Sequence, residues 1–563
     1  MIKGELSNNT MAQKLKIIPL GGLDEIGKNM TAFEYGRDII VVDCGMGFPD
    51  DDMYGIDVVI PDVSWLEKNR GRIRGIFLTH GHEDHIGGLP YVMDRFIKVP
   101  IYATRLTAGL VQLKLQERGL ADKVKINVFQ PGDTVPAGCF RVEFIHVNHS
   151  IADSAALAIH TPLGVVIHSG DFKIDVTPLQ GEMTDLTRLG ELGREGVLAL
   201  LLESTNVEKP GYSLSESKVH DRVDQLFKDC SKRIILTTFA SNVDRIRQVI
   251  ELAAKYKRKV AITGRSMENV VKLCQDLGYI KVPEGLLVDM KRLHSVPANK
   301  LVILSTGSQG ESMSALYRMA FSEHKQVNIG PGDRVIISAS AIPGNERTVT
   351  RVIDELIAKG AEVIYERNTD LHASGHACQE ELKMFYALTK PKFFMPIHGE
   401  RRMLVKNSEM IHAMGHDRRN MVIAENGRTV ELTAKTIKLG EAVPAGKVLL
   451  DGMAEGDVDS VVLRDRRHLA DQGMVVVVMT FSGTDATLIS GPDVISRGFV
   501  YEKESDAVLE ELRRVAMESI DYCQTHGITD WAGIKSRVKN NISGYLFKTT
   551  KRSPMILPII MEV

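Results

Sequence analysis

The feature that most limits what this chain can fold into is a cluster of histidines and acids directly after an apolar segment, in GIFLTHGHEDHIGG. An apolar strand followed by a tight loop lets His80 and His82 converge on one metal ion, while Asp84 and His85 address a second. Imidazole and carboxylate ligands together suit zinc, manganese or iron. The alternative is a surface loop that is histidine-rich by chance, and this density of ligands at a strand end disfavours it. The sequence therefore predicts a metal centre at the end of a strand.

The length and composition of the chain indicate a multidomain globular protein. At 563 residues it exceeds what one hydrophobic core covers, so roughly two to four domains are expected. Hydrophobic residues make up 44% and charged residues 25%, as in ordinary globular proteins. No apolar run approaches the ~18 residues of a membrane span, so no membrane association is expected. The polar start, MIKGELSNNTMAQ, lacks the apolar core of a signal peptide, and a disordered tail is expected over 1–13.

Cysteine usage and charge bear on the compartment and the substrate. The six cysteines form no CxxC pair, which argues against a disulfide framework or a zinc ribbon and favours a reducing compartment. A cytoplasmic protein is therefore expected. The formal net charge of −2 argues mildly against a non-specific nucleic-acid binder. A nuclease can, however, confine its positive potential to a groove, and bound metal ions add charge, so composition leaves the substrate open.

The strand and helix patterns divide the chain into regions. Short apolar strands separated by glycine turns predict an α/β sandwich over 14–212. Longer strand–helix alternation, as in RIILTTF followed by NVDRIRQVIELAAKY, predicts a parallel sheet over 213–365. FFMPIHGE resembles the strand ends of the first region, so the chain is expected to return there over 366–440. A linker over 441–459 and a small α/β unit over 460–563 complete the division.

The segment HGHEDH matches the HxHxDH motif of the metallo-β-lactamase superfamily, which the chain resembles. The resemblance implies that His149 completes the first metal site, that Asp171 bridges both ions and that His398 completes the second site. Asp43, after the strand IIVV, matches the first motif of the superfamily. There it would act from behind a ligand, orienting that ligand or stabilising the loop.

Two nearby histidines, His146 and His168, are competing candidates, although neither stands at a motif position. An isolated histidine is ordinarily a hydrogen-bonded core side chain, but order and strand-end placement favour the motif residues as ligands. The implied cofactors are two divalent metal ions, with zinc favoured and manganese as the alternative. Such a pair suits hydrolysis of phosphodiesters. The metal motif does not discriminate further, because lactamases, thioesterases and glyoxalases share it.

The inserted region resembles that of the β-CASP nucleases, in which a second domain interrupts the metallo-β-lactamase domain and caps its active site. Glu203 in LLLEST and His376 in HASGHA match the acidic and histidine motifs of this family. The resemblance makes His376, supported by Glu203, the general acid that protonates the leaving 3′-oxygen, and Asp84 is counted with them as catalytic. His398 matches a motif that is histidine in RNA-acting members and typically valine in DNA-acting members. The plainer alternative makes Glu203 a strand-end cap and His376 a loop hydrogen-bonder.

Six segments, in order, match the ribonuclease J family: PLGGLDEIGKN, LTHGHEDHIGG, HSGDFKID, TGSQGE, HASGHA and PIHGERR. The resemblance runs from about Lys14 to the end of the chain. It implies a metallo-β-lactamase αββα sandwich interrupted by a β-CASP domain with a parallel sheet, plus a small α+β C-terminal domain for oligomerisation. It also implies a 5′→3′ exonuclease on 5′-monophosphorylated RNA, with endonuclease activity, in mRNA decay and rRNA maturation.

A 5′ exonuclease needs a channel with a closed end that captures the terminal phosphate. Small polar loops suit that role, because glycine lets backbone N–H groups approach phosphate oxygens. The candidate substrate-binding residues are Ser241, Asn242, Gly307, Ser308, Ser340, His372, Ser374, Gly375 and His376, with Arg245, Gln309 and Ser338 beside them. For each loop, ordinary turn chemistry and helix capping explain the same residues about equally well.

Two other functions remain as alternatives: a β-CASP nuclease that acts on DNA or only endonucleolytically, and an inactive RNA-binding scaffold. His398 disfavours DNA, and the complete set of ligand candidates disfavours a scaffold. The expected partners are single-stranded RNA with a 5′-monophosphate and further copies of the chain in a homodimer or homotetramer. Association with an RNA-degradation complex or the ribosome is left open.

Overall fold

The computed structural model describes residues 13–50, 52–179, 181–311, 313–341, 345–365, 370–452, 460–483, 487–499 and 505–563. Of the predicted tail over 1–13, residues 1–12 lie outside these ranges, and so does the stretch 453–459 of the predicted linker. The chain divides into two compact units. The larger comprises the residues up to Gly47 together with 59–447, and the smaller comprises 48–58 together with 448–563.

The strands and helices follow one another in mixed order along the chain. The strands are β1 (Leu15–Gly21), β2 (Met30–Tyr35), β3 (Asp38–Val42), β4 (Val58–Pro61), β5 (Ile73–Phe77), β6 (Ile101–Thr104), β7 (Ile126–Phe129), β8 (Thr134–Ala137), β9 (Phe140–His146), β10 (Ala155–Thr161), β11 (Gly164–His168), β12 (Val197–Glu203), β13 (Ile234–Thr237), β14 (Lys259–Thr263), β15 (Leu301–Ser305), β16 (Arg334–Ile337), β17 (Glu362–Ile364), β18 (Phe393–Ile397), β19 (Arg428–Leu432), β20 (Ile437–Ala442), β21 (Lys447–Leu450), β22 (Met474–Phe481), β23 (Leu488–Arg497) and β24 (Met555–Glu562). The helices are α1 (Ser64–Lys68), α2 (Glu83–Ile86), α3 (Leu89–Val92), α4 (Arg105–Glu117), α5 (Leu186–Glu195), α6 (Glu216–Lys228), α7 (Val243–Lys255), α8 (Arg265–Asp276), α9 (Ala315–Ala320), α10 (Glu346–Ala358), α11 (Gln379–Thr389), α12 (Arg401–Ala413), α13 (Ser460–Gln472), α14 (Ser505–Thr525) and α15 (Trp531–Thr550).

Two sheets face each other in the larger unit. One has the strand order β20-β19-β1-β2-β3-β5-β6-β7 and the other β18-β12-β11-β10-β9-β8. Their facing side chains form one core, which includes the fully buried rings of Phe33, Phe144 and Phe393. Strands such as LKIIPLG and VLALLLE are apolar almost throughout, and nearly every residue of both is buried, as expected for strands that are covered on both faces.

The outer face of the six-stranded sheet packs against helices. Phe172, Phe385 and Phe394 belong to this second core, and the rings of Phe172 and Phe385 are 4.6 Å apart. The chain returns to both sheets after the insertion, because β18 pairs in parallel with β12 and β19 pairs antiparallel with β1. The predicted fold class, a helix-flanked sandwich interrupted by another domain, is confirmed.

The inserted domain is built on a parallel sheet with the order β14-β15-β13-β16-β17. Helices between the strands cover it, and Leu316, Met319 and Leu356 are fully or almost fully buried against it. In such sheets the loops after the carboxyl ends of the strands are where ligands ordinarily bind.

The smaller unit is an α+β fold with a three-stranded sheet in the order β23-β22-β24. Alternate residues of β22 are fully buried against α14 and α15, which is the two-residue period of a strand with one face covered. None of the helices in the described part of the chain is long and apolar enough to cross a membrane.

Candidate active site

Three histidine rings meet at one edge of the sandwich. His80 and His82 follow β5, and His149 lies in the loop between β9 and β10. The Nδ1 atom of His82 is 3.1 Å from Nε2 of His80 and 3.0 Å from Nε2 of His149. These three nitrogens lie close enough together to hold one metal ion.

A second group of side chains lies beside the first. Asp84 and His85 are on the short helix α2, Asp171 follows β11, and His398 follows β18. Nε2 of His85 is 3.3 Å from Asp84 Oδ2, and Nε2 of His398 is 3.4 Å from the same oxygen. One ligand atom from each of these four side chains lies within 4.8 Å of the others, so this group too could hold a metal ion.

Asp171 belongs to the second group and also approaches the first. Its Oδ2 atom is 3.1 Å from Nε2 of His85 and 3.7 Å from Nε2 of His80. Its other oxygen, Oδ1, accepts a hydrogen bond of 2.7 Å from Nδ1 of His398. One carboxylate oxygen therefore faces both groups, which is the geometry that a bridging ligand requires.

Asp43 lies behind the histidines, at the end of β3. Its Oδ2 atom accepts a 2.7 Å hydrogen bond from Nδ1 of His85, and its Oδ1 accepts one of 2.8 Å from the backbone of Thr79. This contact fixes the His85 tautomer and turns Nε2 towards the other ligands. Thr79 extends the arrangement, because its hydroxyl lies 2.9 Å from Asp43 and 3.0 Å from Nδ1 of His80.

Burial and nearby charges shift the histidine pKa in different directions in the two groups of ligands. Burial lowers the pKa of His80 and His149 well below the usual range and that of His82 to about 4, so these three rings are neutral. Burial also lowers the pKa of His85, but the carboxylates around it outweigh this effect and raise the pKa well above its usual value. A neutral ring can offer a nitrogen lone pair, and the carboxylates of the second group supply negative charge. Both conditions favour binding of a divalent cation.

The donor sets of the two groups fit divalent metal ions. The first offers three imidazole nitrogens, and the second offers two imidazoles and two carboxylates. Nδ1 of His149 donates to the carbonyl oxygen of Gly375 at 2.6 Å, so its proton lies on that side and Nε2 is free to bind a metal. Nitrogen and oxygen donors of this kind suit zinc and manganese. Use of a divalent metal is thus supported by the chemistry of the donors, whereas the identity of the metal stays a prediction.

His376 and Glu203 form a pair next to the second group. Nδ1 of His376 donates to Oε2 of Glu203 at 2.8 Å, and Oε1 of the same carboxylate accepts from the backbone of Phe172 at 2.9 Å. Glu203 is fully buried, while the His376 side chain keeps 24% of its surface exposed. Burial lowers the pKa of His376, and Glu203 more than offsets this and raises it. A protonated imidazole can therefore face solvent beside the ligands.

The competing histidines are not part of either ligand group in the described part of the chain. Nε2 of His146 donates to the carbonyl oxygen of Glu182 at 2.9 Å. Nδ1 of His168 accepts from the backbone of Gly170 at 3.1 Å, and burial lowers its pKa to about 4. Both therefore play ordinary structural roles.

Two residues that were predicted to hold the RNA backbone make structural contacts within the inserted domain. Asn242 caps α7, since its side chain accepts from the backbone of Arg245 at 3.0 Å. Arg245 is fully buried, and its guanidinium binds Glu216 at 2.7 Å and the Ser338 hydroxyl at 2.6 Å. The suggestion that Arg245 holds the RNA backbone is therefore wrong, because this charge is buried among protein partners.

Other predicted substrate-binding residues lie in loops that follow strands of the inserted sheet. Ser241 is half-buried just before α7, and Ser308 is buried in the loop after β15. Gly307 has a left-handed backbone with φ 103°, and a Cβ there would lie 2.3 Å from the Ser314 hydroxyl. The carbonyl oxygen of Ser340 accepts from the Gln309 side chain at 2.9 Å. Turn chemistry accounts for these contacts.

His372, Ser374 and Gly375 lie on the segment that returns from the inserted domain to His376. Nδ1 of His372 has no hydrogen-bond partner among the described residues, and burial, helped by Arg245, lowers the pKa of this ring to about 4. A Cβ at Gly375 would lie 2.6 Å from the ring of His149. Glycine is thus required where the return segment crosses the first ligand group.

Sequence reasoning gave no role to Asn29, which the structure places against the second group. Its side-chain nitrogen lies 3.1 Å from the Asp84 carbonyl oxygen, 3.3 Å from Asp84 Oδ2 and 3.1 Å from Nε2 of His85. Asn29 lies in the segment GLDEIGKN, which carries part of the family resemblance but by itself indicates no role in the site.

Four family models match successive parts of the chain. They are described as metallo-beta-lactamase superfamily (23–182), ribonuclease J beta-CASP domain (231–356), Zn-dependent metallo-hydrolase RNA specificity domain (360–422) and ribonuclease J C-terminal domain (461–563). A ribonuclease J of Synechocystis sp. is 44% identical over 98% of this chain and 87% of its own length. The chain belongs to the ribonuclease J family.

Further members of the ribonuclease J family align along almost the whole chain. A ribonuclease J of Thermus thermophilus is 42% identical over 97% of this chain and 95% of its own length. A ribonuclease J2 of Bacillus subtilis is 39% identical over 98% of this chain and 99% of its own length. Among solved structures, a protein of unknown function from Enterococcus faecalis matches 74% of this chain and 100% of its own, with a TM-score of 0.54 and 18% identity. That likeness shows the fold alone.

Proposed function

We propose that this chain is a metal-dependent ribonuclease that removes nucleotides 5′→3′ from 5′-monophosphorylated RNA and also cuts internally, in mRNA decay and rRNA maturation. The observation that carries the proposal is the meeting of two ligand groups at Asp171, with the His376–Glu203 pair beside them. Relatives named ribonuclease J, aligned along nearly the whole chain, support RNA as the substrate.

The residues proposed to hold two divalent ions are those of the two groups: His80, His82 and His149 for one, Asp84, His85 and His398 for the other, with Asp171 shared because its Oδ2 also approaches His80. Such ions would activate water and neutralise charge on the phosphate during in-line displacement. Asp43 keeps His85 in place through Nδ1, and Asn29 holds Asp84 through its backbone carbonyl oxygen.

His376 is proposed as the general acid. Its Nδ1 proton is engaged by Glu203, so Nε2–H is the group free to donate. As water adds to phosphorus and the P–O3′ bond breaks, that proton passes to the leaving 3′-oxygen. Glu203 acts by holding the ring in one orientation and by keeping it protonated, as the raised pKa of His376 indicates.

The preference for a 5′-monophosphate requires a pocket for a terminal phosphate. His372 supports a place for it, because this ring lies four residues before His376 and its Nδ1 has no hydrogen-bond partner among the described residues. Ser308, Ser374 and Gly375 are proposed to complete the pocket with hydroxyl and backbone donors.

The smaller unit is proposed to join copies of the chain into a homodimer or homotetramer. On the sheet face opposite its core, β23 and β24 expose apolar side chains in register: Ile495 and Leu557 both pair with Val476, and Ile559 pairs with Val478. Ile495 and Leu557 are each 47% exposed. An apolar sheet face of this kind favours association, and sedimentation of Leu557→Lys against the unaltered chain tests it.

Labelled RNA tests the proposed reaction. After chelation, the chain is given manganese or zinc and an RNA labelled at its 5′ end with either a monophosphate or a triphosphate. We expect metal-dependent release of labelled mononucleotide from the monophosphate RNA and only internal fragments from the triphosphate RNA. Internal fragments from both RNAs without labelled mononucleotide from the monophosphate RNA would contradict the exonuclease, and no cleavage with either metal would contradict the ribonuclease.

A further inference from the structure

Asn206 is a buried side chain that contacts the segment bearing His376. It follows β12 and lies three residues after Glu203. Its side-chain nitrogen Nδ2 is 2.7 Å from the hydroxyl oxygen of Ser374 and 3.0 Å from the carbonyl oxygen of His376. Because an asparagine amide has two N–H groups, both of these bonds can form at once.

The contacts of Asn206 close a small ring of hydrogen bonds. The Ser374 hydroxyl that accepts from Asn206 also accepts from the backbone N–H of His376, at 3.2 Å. Both ends of the turn from Ser374 to His376 are thus tied to one amide. Asn206 is 6% exposed, so water cannot readily replace these partners.

His376 is thereby held at two places by one short stretch of chain. Glu203 binds its ring, and Asn206 binds its backbone. We propose that Asn206 is a positioning residue that aims the His376 ring at the leaving oxygen, acting through the backbone rather than on the substrate. This inference rests on the proposed function, and specifically on His376 as general acid.

A general acid matters only when the leaving group needs a proton. RNA expels a 3′-alkoxide, which is strongly basic, whereas an RNA with sulfur in place of the bridging 3′-oxygen expels a thiolate, which leaves without a proton. In both substrates water adds to phosphorus and the bond to the 3′-atom breaks. A residue that acts through His376 should therefore affect the two substrates differently, while a residue that merely stabilises the fold should affect them alike.

The experiment compares kcat and KM of the full chain with metal on these two RNAs. Asn206→Ala is the test variant and His376→Ala the reference. Gln379→Ala is the matched control, because its side-chain amide also joins the same two segments, through the Val207 carbonyl oxygen at 2.9 Å, without touching His376. Thermal unfolding of each variant shows that it is folded.

For Asn206→Ala we expect kcat on ordinary RNA to fall about tenfold or more, with KM little changed, and kcat on the sulfur-bridged RNA to stay near that of the unaltered chain. Gln379→Ala should change neither. Equal losses on both substrates, or no loss on either, would overturn the positioning role. If His376→Ala leaves RNA hydrolysis intact, the proposed general acid is wrong, and the inference falls with it.

Discussion

The ring of His149 donates its Nδ1 proton to the backbone carbonyl oxygen of Gly375, 2.6 Å away. This bond joins the first ligand group to the segment that carries His376, so a change in the position of one is passed on to the other. It also fixes the His149 tautomer, leaving Nε2 to face His82 at 3.0 Å.

Gly375→Ala should damage the site through this contact. The added Cβ would lie 2.6 Å from Cε1 of His149 and 2.6 Å from the Ser150 hydroxyl, so the ring or the segment must move. We expect kcat on RNA to fall about 100-fold, as for a displacement of roughly 1 Å among reacting groups. Gly190→Ala is the control, since in the described part of the chain its Cβ would meet only Leu388, at 3.8 Å. Equal activity of the two variants would contradict the role given to the contact.

Asn29→Ala should weaken metal binding at the second ligand group. The amide holds the backbone and side chain of Asp84, and contacts behind a ligand typically change metal affinity about 10–100-fold. Titration against a competing chelator measures the effect. Asn127→Ala removes a similar amide–carbonyl bond, to Ile101 at 3.2 Å, away from the site, and should leave the affinity unchanged. A similar affinity in both variants would count against Asn29 as a support for the ligands.

Arg245→Met should destabilise the inserted domain. Arg245 is fully buried, and its loss would leave the Glu216 carboxylate with Lys173, at 3.7 Å, as its one ion-pair partner among the described residues. Removing one partner of a buried ion pair costs about 3–5 kcal/mol in the free energy of unfolding. The exposed pair Arg95–Glu67 is the comparison, and Arg95→Ala should cost about 0–1 kcal/mol. Urea unfolding checks both, and equal costs would contradict the assignment.

Stability should fall in acid partly because of Glu143. Burial raises the pKa of this carboxyl, but His160 and Arg188 outweigh burial and lower it to about 2, against 4.5 when unfolded. A depressed folded pKa stabilises above the unfolded value and is lost as pH falls through the folded one, here from about 4.5 towards 2. Metal-free Glu143→Gln should therefore lose less stability than the unaltered chain between about pH 5 and pH 3. Parallel losses in thermal unfolding would show that Glu143 is not responsible.

Much of the fold could be predicted because its signals are local. Apolar runs such as LKIIPLG and VLALLLE mark strands covered on both faces, and FFMPI showed that the chain returns to the first sheets after the insertion. The ligand candidates could be proposed because the sequence resembles the metallo-β-lactamase superfamily at its HxHxDH motif and at later strand ends. The predicted domain boundaries, by contrast, stay predictions.

The contacts that could not be predicted join residues that are distant in the sequence. Asn206 meets Ser374 across 168 positions, and Asn29 meets Asp84 across 55. Arg245 was expected near RNA because it follows a strand at a helix start, but its partner Glu216 could not be identified from spacing. The roles of side-chain amides and buried charges depend on tertiary contacts that a single sequence does not reveal.

Metal-stimulated RNA hydrolysis by His80→Ala, set against His146→Ala, tests the central claim most directly. Both changes remove one histidine near the same edge, but only His80 belongs to a ligand group, while His146 binds the Glu182 carbonyl oxygen. After chelation and return of manganese or zinc, His146→Ala should cut RNA like the unaltered chain and His80→Ala should show almost no hydrolysis. Undiminished hydrolysis by His80→Ala would contradict a metal-dependent ribonuclease acting at this site.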